Sequence, residues 1–139
     1  MTYTHKVQYY ETDQMGVVHH SNYIRWFEEA RTDYLEQLGY GYDQMEHDGI
    51  MIPVLSVNAS YKAMCRYAEI VSVSAKITEY NGVKMTIAYA VTGEDGSVRC
   101  TGETVHGFLT MKEARPVSLK RNFSQIHQFF LEAVEKENQ

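Results

Sequence analysis

Two cysteines, Cys65 and Cys100, are all the thiol this chain has, and they form neither a CxxC pair nor a disulfide ladder. That leaves no disulfide scaffold, and reduced thiols point to a cytoplasmic setting. No run reaches the ~18 apolar residues of a membrane span, and the opening MTYTHKVQYYETD lacks a signal peptide's apolar core. Positive charge is also short, with 13 Lys and Arg against 18 Asp and Glu and a net charge of −5. That balance disfavours a general nucleic-acid or anionic-membrane binder, although a local basic patch is compatible with it. The six histidines include His5, His47 and His106 scattered without metal-ligand spacing, so no metal centre is expected. No repeat, low-complexity tract or linker divides the chain, and its 139 residues suit one domain with a real core.

What is present is an ordered change of period. Residues 3–9 alternate loosely and predict a first strand, followed by a loop punctuated by Gly16. Ser21 to Leu38 predicts a helix, with Ser21 or Asn22 as its N-cap and Gly39 as its left-handed stop. Its apolar stripe runs through Ile24, Phe27, Ala30, Tyr34, Leu35 and Leu38; Tyr23 and Trp26 widen it, so cover on more than one side is expected. Tyr40 to Gly49 reads as a turn and a short helical piece. Strands are then expected within 50–62, where Pro53 suggests an edge, at 71–78, at 83–91 and from Val98 to Met111. Asn81-Gly82 and Gly93 to Gly96 supply tight turns, and Gly102 and Gly107 read as bulges. A second amphipathic helix is expected over about 122–136. The sum is an α+β fold in which a long helix packs on a curved antiparallel meander.

The stretch YYETDQMGVVHHSNY, residues 9–23, concentrates the chemistry. A carboxylate and two histidines just ahead of a helix start fit a metal site, a catalytic site or plain loop chemistry. The pattern Tyr9-x-x-x-Asp13-x-x-Gly16-Val17-Val18-x-His20-x-x-Tyr23, followed by Phe27-Glu28-x-Ala30-Arg31, resembles the hotdog-fold acyl-CoA thioesterases. Within them it is most similar to the 4-hydroxybenzoyl-CoA thioesterase family and its Tol-Pal-associated short-chain branch. The similarity runs from about Thr4 to Leu119 and is most specific in the first thirty residues.

That resemblance implies hydrolysis of acyl-CoA or acyl-carrier-protein thioesters, with no cofactor because coenzyme A belongs to the substrate. It assigns catalysis to Asp13, His20 and Tyr9, and places Gly16, Val17, His19 and Ser21 around the substrate. His19 departs from the aromatic residue more usual there. Another branch carries its acid on the helix, where Glu28 and Glu29 lie. Coenzyme A phosphates call for cations, and Lys62 and Arg66 are the first candidates, with Lys84, Lys120 and Arg121 after them. Sheet-edge pairing into a homodimer or homotetramer is implied, with no nucleic acid and no membrane insertion.

The chemistry stands apart from the resemblance. Asp13 can serve as general base toward water or attack directly. A helix start offers unpaired N–H groups, here near His20 and Ser21, to a developing oxyanion. Loop and packing roles compete with each of these assignments: Asp13 as turn former, Tyr9 as a packed strand residue, Arg31 pairing with Glu28 along the helix, and both cysteines as small buried side chains. A non-catalytic acyl-thioester binder and a hotdog hydratase or dehydratase are the competing functions.

Overall fold

A computed structural model describes residues 2–138. Strand β1 (Thr2–Lys6) leads through a single 3-10 turn at Tyr9–Glu11 to α1 (Ser21–Leu38), α2 (Tyr42–Asp48) and β2 (Ile50–Met51). Then come β3 (Val54–Tyr61), β4 (Ile70–Tyr80), β5 (Lys84–Thr92), β6 (Val98–Gly107) and β7 (Leu109–Thr110), with α3 (Leu119–Asn122) and α4 (Ser124–Glu137) closing the chain. Five strands form one antiparallel sheet in the order β1-β4-β5-β6-β3, while β2 and β7 pair separately. This is the expected helix-in-sheet architecture, with three differences in topology.

First, only β4, β5 and β6 are a meander; β3 crosses over and pairs with β6 at the far edge. Alternation marks a strand and its buried face but carries no information about a distant partner. Second, the last strand is not continuous to Met111. It ends at Gly107, Phe108 turns into the core, and residues 109–110 join β2. Third, the first strand ends at Lys6, so Tyr9 sits on the 3-10 turn and not in the sheet.

One face of the sheet is dry. Val71, Val73, Ala75 and Ile77 of β4 and Met85, Ile87, Tyr89 and Val91 of β5 are buried, while their alternate neighbours are partly or fully exposed. Helix α1 lies on that face with Tyr23, Trp26, Phe27, Ala30, Arg31, Tyr34 and Leu35 buried at i, i+3, i+4 spacing. Burial of each large apolar side chain here contributes roughly 1.5–3 kcal/mol. The stripe is narrower than expected. Ile24 is 40 % exposed, and Arg25, Glu28, Glu29 and Glu36 face outward, so the helix is covered on one side within this chain.

Gly102 explains how close helix and sheet come. A Cβ there would meet the Asn58 carbonyl oxygen and the Phe27 ring. Phe27 occupies that space and stacks on Tyr89, with centroids 4.6 Å apart and planes 10° from parallel. Gly102 is thus a close approach rather than a bulge, and it pairs in register with Ala59 and Tyr89. The register shifts lie elsewhere, at Val54/Ser56, Ile77/Glu79 and Val91/Thr92. Helix α4 covers the C-terminal end of α1 through Phe129 and Phe130 against Tyr40, and the Tyr34 hydroxyl donates to Glu137 at 2.9 Å.

Beneath α1 the inner face of β6 is polar, and the bonds run in one direction. Arg31 donates to the Tyr89 hydroxyl (3.1 Å); with His106 neutral and its proton on Nδ1, Thr104 donates to His106 Nε2 (2.8 Å) and so accepts from Tyr89 (2.7 Å). His106 Nδ1 then donates to the Ile52 carbonyl at 3.3 Å, which fixes the neutral tautomer. Burial, reinforced by the Arg31 charge, pushes His106 down to about 4. The expected Arg31–Glu28 pair exists at 3.9 Å, but Arg31 is buried and its shorter bond goes to the Tyr42 hydroxyl at 2.7 Å.

Candidate active site

The loop between the 3-10 turn and α1 is a small hairpin. Thr12 bridges Val18, the Asp13 amide donates to Val17 O (2.9 Å), and the His19 amide donates to Glu11 O (2.9 Å). Its tip turns at Gly16, whose φ of +79° is the left-handed geometry that glycine adopts without strain. Asp13 shapes that tip. Its Oδ1 accepts the Met15 amide at 2.8 Å and the Val17 amide at 3.5 Å, so the turn-former reading of Asp13 is correct. Among the described residues Oδ2 receives no donor.

Helix α1 begins at Ser21, and its cap position is His20, whose side chain caps nothing. Neither expected N-cap acts as one. Ser21 exchanges a hydrogen bond with the His19 ring (2.9 Å), and its amide points to His19 Nδ1 at 3.3 Å. Asn22 turns inward and donates to Glu11 O at 2.9 Å. The Asn22 and Tyr23 amides bond back to the carbonyls of His19 and His20. Among the described residues, this accounting leaves the His20 amide without an acceptor. Of the two amides expected to serve an oxyanion, one is spare and the other is engaged.

Asp13 and His20 line one cleft of about 330 Å³ together with Val17, Val18, Tyr23, Tyr61, Lys62, Ala63 and Met64. Tyr23 is buried in its wall and packs against Tyr61 at 5.4 Å, and His20 meets the Tyr61 ring edge-on at 6.2 Å. One side of the cleft is therefore aromatic, and Asp13, His20 and Lys62 line it as well. Tyr61 was not among the residues expected at the site. Its position opposite Cys100, at the end of β3, comes from the β3–β6 pairing that local alternation does not reveal.

The other expected residues divide. Val17 lines the cleft and bridges Arg66, placing the exposed Arg66 beside the wall rather than in it. His19 and Ser21 are exposed, and His19 stacks on His20 at 4.2 Å. Tyr9 is 76 % exposed and packs edge-on against Tyr67 at 5.6 Å, outside the cleft of this chain. Glu28 and Glu29 lie along a separate groove with Tyr3 and Asp33, and Lys84 and Arg121 border two others. Cys65 and Cys100 are buried and free, as the packing reading has it. Burial pushes Cys65 up and Cys100 up to about 11.

Glu11 is the acid the sequence reading passed over. It is 4 % exposed, yet its oxygens take the Gln8 amide (2.8 Å), His5 Nε2 (2.8 Å) and the Trp26 indole N–H (2.7 Å). Burial alone would raise its carboxyl; those three donors outweigh burial and hold it below the usual carboxylate value. The Gln8-to-Glu11 spacing, four residues across one turn, was the available signal. Among the described residues no cluster of acids, histidines and thiols could hold a metal ion, and no helix is long and apolar enough to cross a membrane.

Asp13 and His20, the residue at the start of α1, thus line one partly aromatic cleft on a sheet packed against that helix. The sequence model of the thioesterase-like superfamily matches residues 7–133, and the chain belongs to that family of hotdog-fold thioester hydrolases. It is 34 % identical over 122 residues to the Bacillus subtilis (strain 168) protein named "Putative acyl-CoA thioesterase YneP", covering 88 % of each chain. It is also 34 % identical over 124 residues to the Aquifex aeolicus (strain VF5) protein named "Putative esterase", covering 89 % of this chain and 94 % of that one. The crystal structure of DHNA-CoA thioesterase from Staphylococcus aureus superposes with a TM-score of 0.90 at 34 % identity, covering 99 % of this chain and 94 % of that one.

Proposed function

We propose that this chain hydrolyses acyl-CoA thioesters in the cleft between Asp13 and the start of α1. The observation that carries the reading is the shared cleft: Asp13, with Oδ2 free, and His20, with its amide unengaged, line the same space. The thioester carbonyl oxygen takes the His20 N–H, where the helix dipole favours negative charge. Asp13 draws the proton from a water attacking that carbon, or attacks it directly and is later released by water. The thiolate of coenzyme A leaves and is protonated. No cofactor enters the balance, because coenzyme A is part of the substrate.

The His20 ring stands beside the reacting centre, where it can orient water. Lys62, in the wall, and Arg66, beside Val17, face the phosphates outside. The aromatic wall of Tyr23 and Tyr61 suits a planar or short acyl group, in keeping with the DHNA-CoA thioesterase of Staphylococcus aureus. An acyl-carrier-protein thioester presents the same carbonyl and is the second substrate class.

The edges of the sheet support assembly into a dimer. Edge β1 is the polar run TYTHK, whereas edge β3 exposes Val54, Leu55, Val57 and Tyr61 by 40–55 %. An apolar open strand favours pairing with a second copy, and Tyr61 at its end brings that interface to the cleft. The test is thiol release over a panel of aromatic, short and long acyl-CoAs and an acyl-carrier-protein thioester. Turnover with aromatic or short acyl groups supports the reading, and saturable binding without turnover on every member replaces it with the binding-module function.

A further inference from the structure

We propose that Glu11 is a positioning residue that holds Asp13 and the His20 amide at their working separation. The inference rests on the hydrolase reading and extends it to a residue that does not line the cleft. The hairpin carrying Asp13 is rooted where Glu11 faces His19. At that root the Glu11 carbonyl oxygen takes both the His19 amide and the Asn22 side chain, each at 2.9 Å. The Glu11 carboxylate ties the same root to three separate elements: the preceding turn through Gln8, β1 through His5, and α1 through Trp26. His5 is held in turn, its Nδ1 lying 3.4 Å from Glu29, which also accepts from the Tyr3 hydroxyl at 2.8 Å. With His19 N–H engaged at the root, the next amide, that of His20, has no acceptor among the described residues, and His20 lines the cleft.

The chemistry of the three donors makes the carboxylate irreplaceable by its amide. Oε1 receives the Gln8 amide and His5, and Oε2 receives the Trp26 indole. A glutamine of the same shape must put its NH₂ against either the Trp26 N–H or the Gln8 N–H, donor against donor, in both orientations. The side chain then rotates or leaves a buried donor unpaired, and the hairpin root moves with it. A displacement near 1 Å at reacting groups lowers turnover by about a hundredfold.

Glu11→Gln, Trp26→Phe and the double variant would be compared with wild type. The readouts are kcat and KM on an acyl-CoA the wild type cleaves, and amide hydrogen exchange, all well below each variant's unfolding temperature. Glu11→Gln is expected to lower kcat by roughly 10- to 100-fold with KM within about threefold. Faster exchange should be confined to residues 12–20. The double variant, which removes the indole donor, is expected to recover part of kcat, and it carries the test where Glu11→Gln alone does not fold. A folded Glu11→Gln with kcat within threefold of wild type overturns the proposal. So does exchange that quickens equally throughout β4 and β5, the mark of a purely structural role. Should wild type cleave no thioester, the hydrolase reading falls, and the exchange pattern alone decides whether Glu11 clamps the loop.

Discussion

Acidification should remove a definite share of this protein's stability through His106. In the folded chain burial and the Arg31 charge keep His106 neutral, and with Nδ1 donating to Ile52 O its Nε2 then accepts from Thr104. Protonation turns that acceptor into a donor and places a second cation beside Arg31. Its ordinary value of 6.5 falls to about 4 on folding, with burial the main cause. The unfolded chain therefore binds the proton first. The stabilisation is complete above pH 6.5, fades as pH drops from 6.5 to about 4, and is gone below. At about 1.4 kcal/mol per pH unit, the interval is worth about 3 kcal/mol. Urea unfolding at half-unit steps from pH 4 to 8, for wild type and His106→Gln, isolates this share as the difference in pH slope. His106 should also titrate near 4 by NMR, with Nδ1 carrying the proton at neutral pH. Parallel pH curves, or a His106 titration near 6.5, would refute the reasoning.

Other consequences are checked more simply. Gly102→Ala drives a methyl into Asn58 O and the Phe27 ring, and should cost about 2 kcal/mol in denaturant unfolding. Cys65 and Cys100, buried and with raised thiols, should resist a thiol reagent in the native state and both react after denaturation. On the proposed pairing of β3 edges, wild type should sediment as a dimer and Leu55→Lys as a monomer with lower turnover, because Tyr61 lies at that edge.

The parts of the fold legible in the sequence are those set by local period. Alternation in 71–77 and 85–91 marks the buried face of β4 and β5, and the helix over Ser21–Leu38 stops at Gly39 as expected. What lay outside the sequence reading depends on partners far along the chain. The β3–β6 pairing brings Tyr61 to the site. Asn22 looked like a cap because serine and asparagine usually satisfy helix starts, yet its partner is Glu11 O, eleven residues earlier. Arg31 pairs with Glu28 one turn away as expected, but its burial and its bonds to two tyrosines, from α2 and β5, depend on distant partners. That Asp13 and His20 share a cleft was legible through the motif that resembles the family, whereas a 3-10 turn rotates Tyr9 out of the strand it was expected to occupy.

The central claim is that the free oxygen of the loop carboxylate acts on a carbonyl held by the first spare amide of α1. Single-turnover thiol release by wild type and Asp13→Asn tests it most directly, with both proteins shown to fold alike. The account predicts a fall of roughly 10²–10⁴-fold in the rate, with substrate still bound. A variant that releases thiol at the wild-type rate would contradict it.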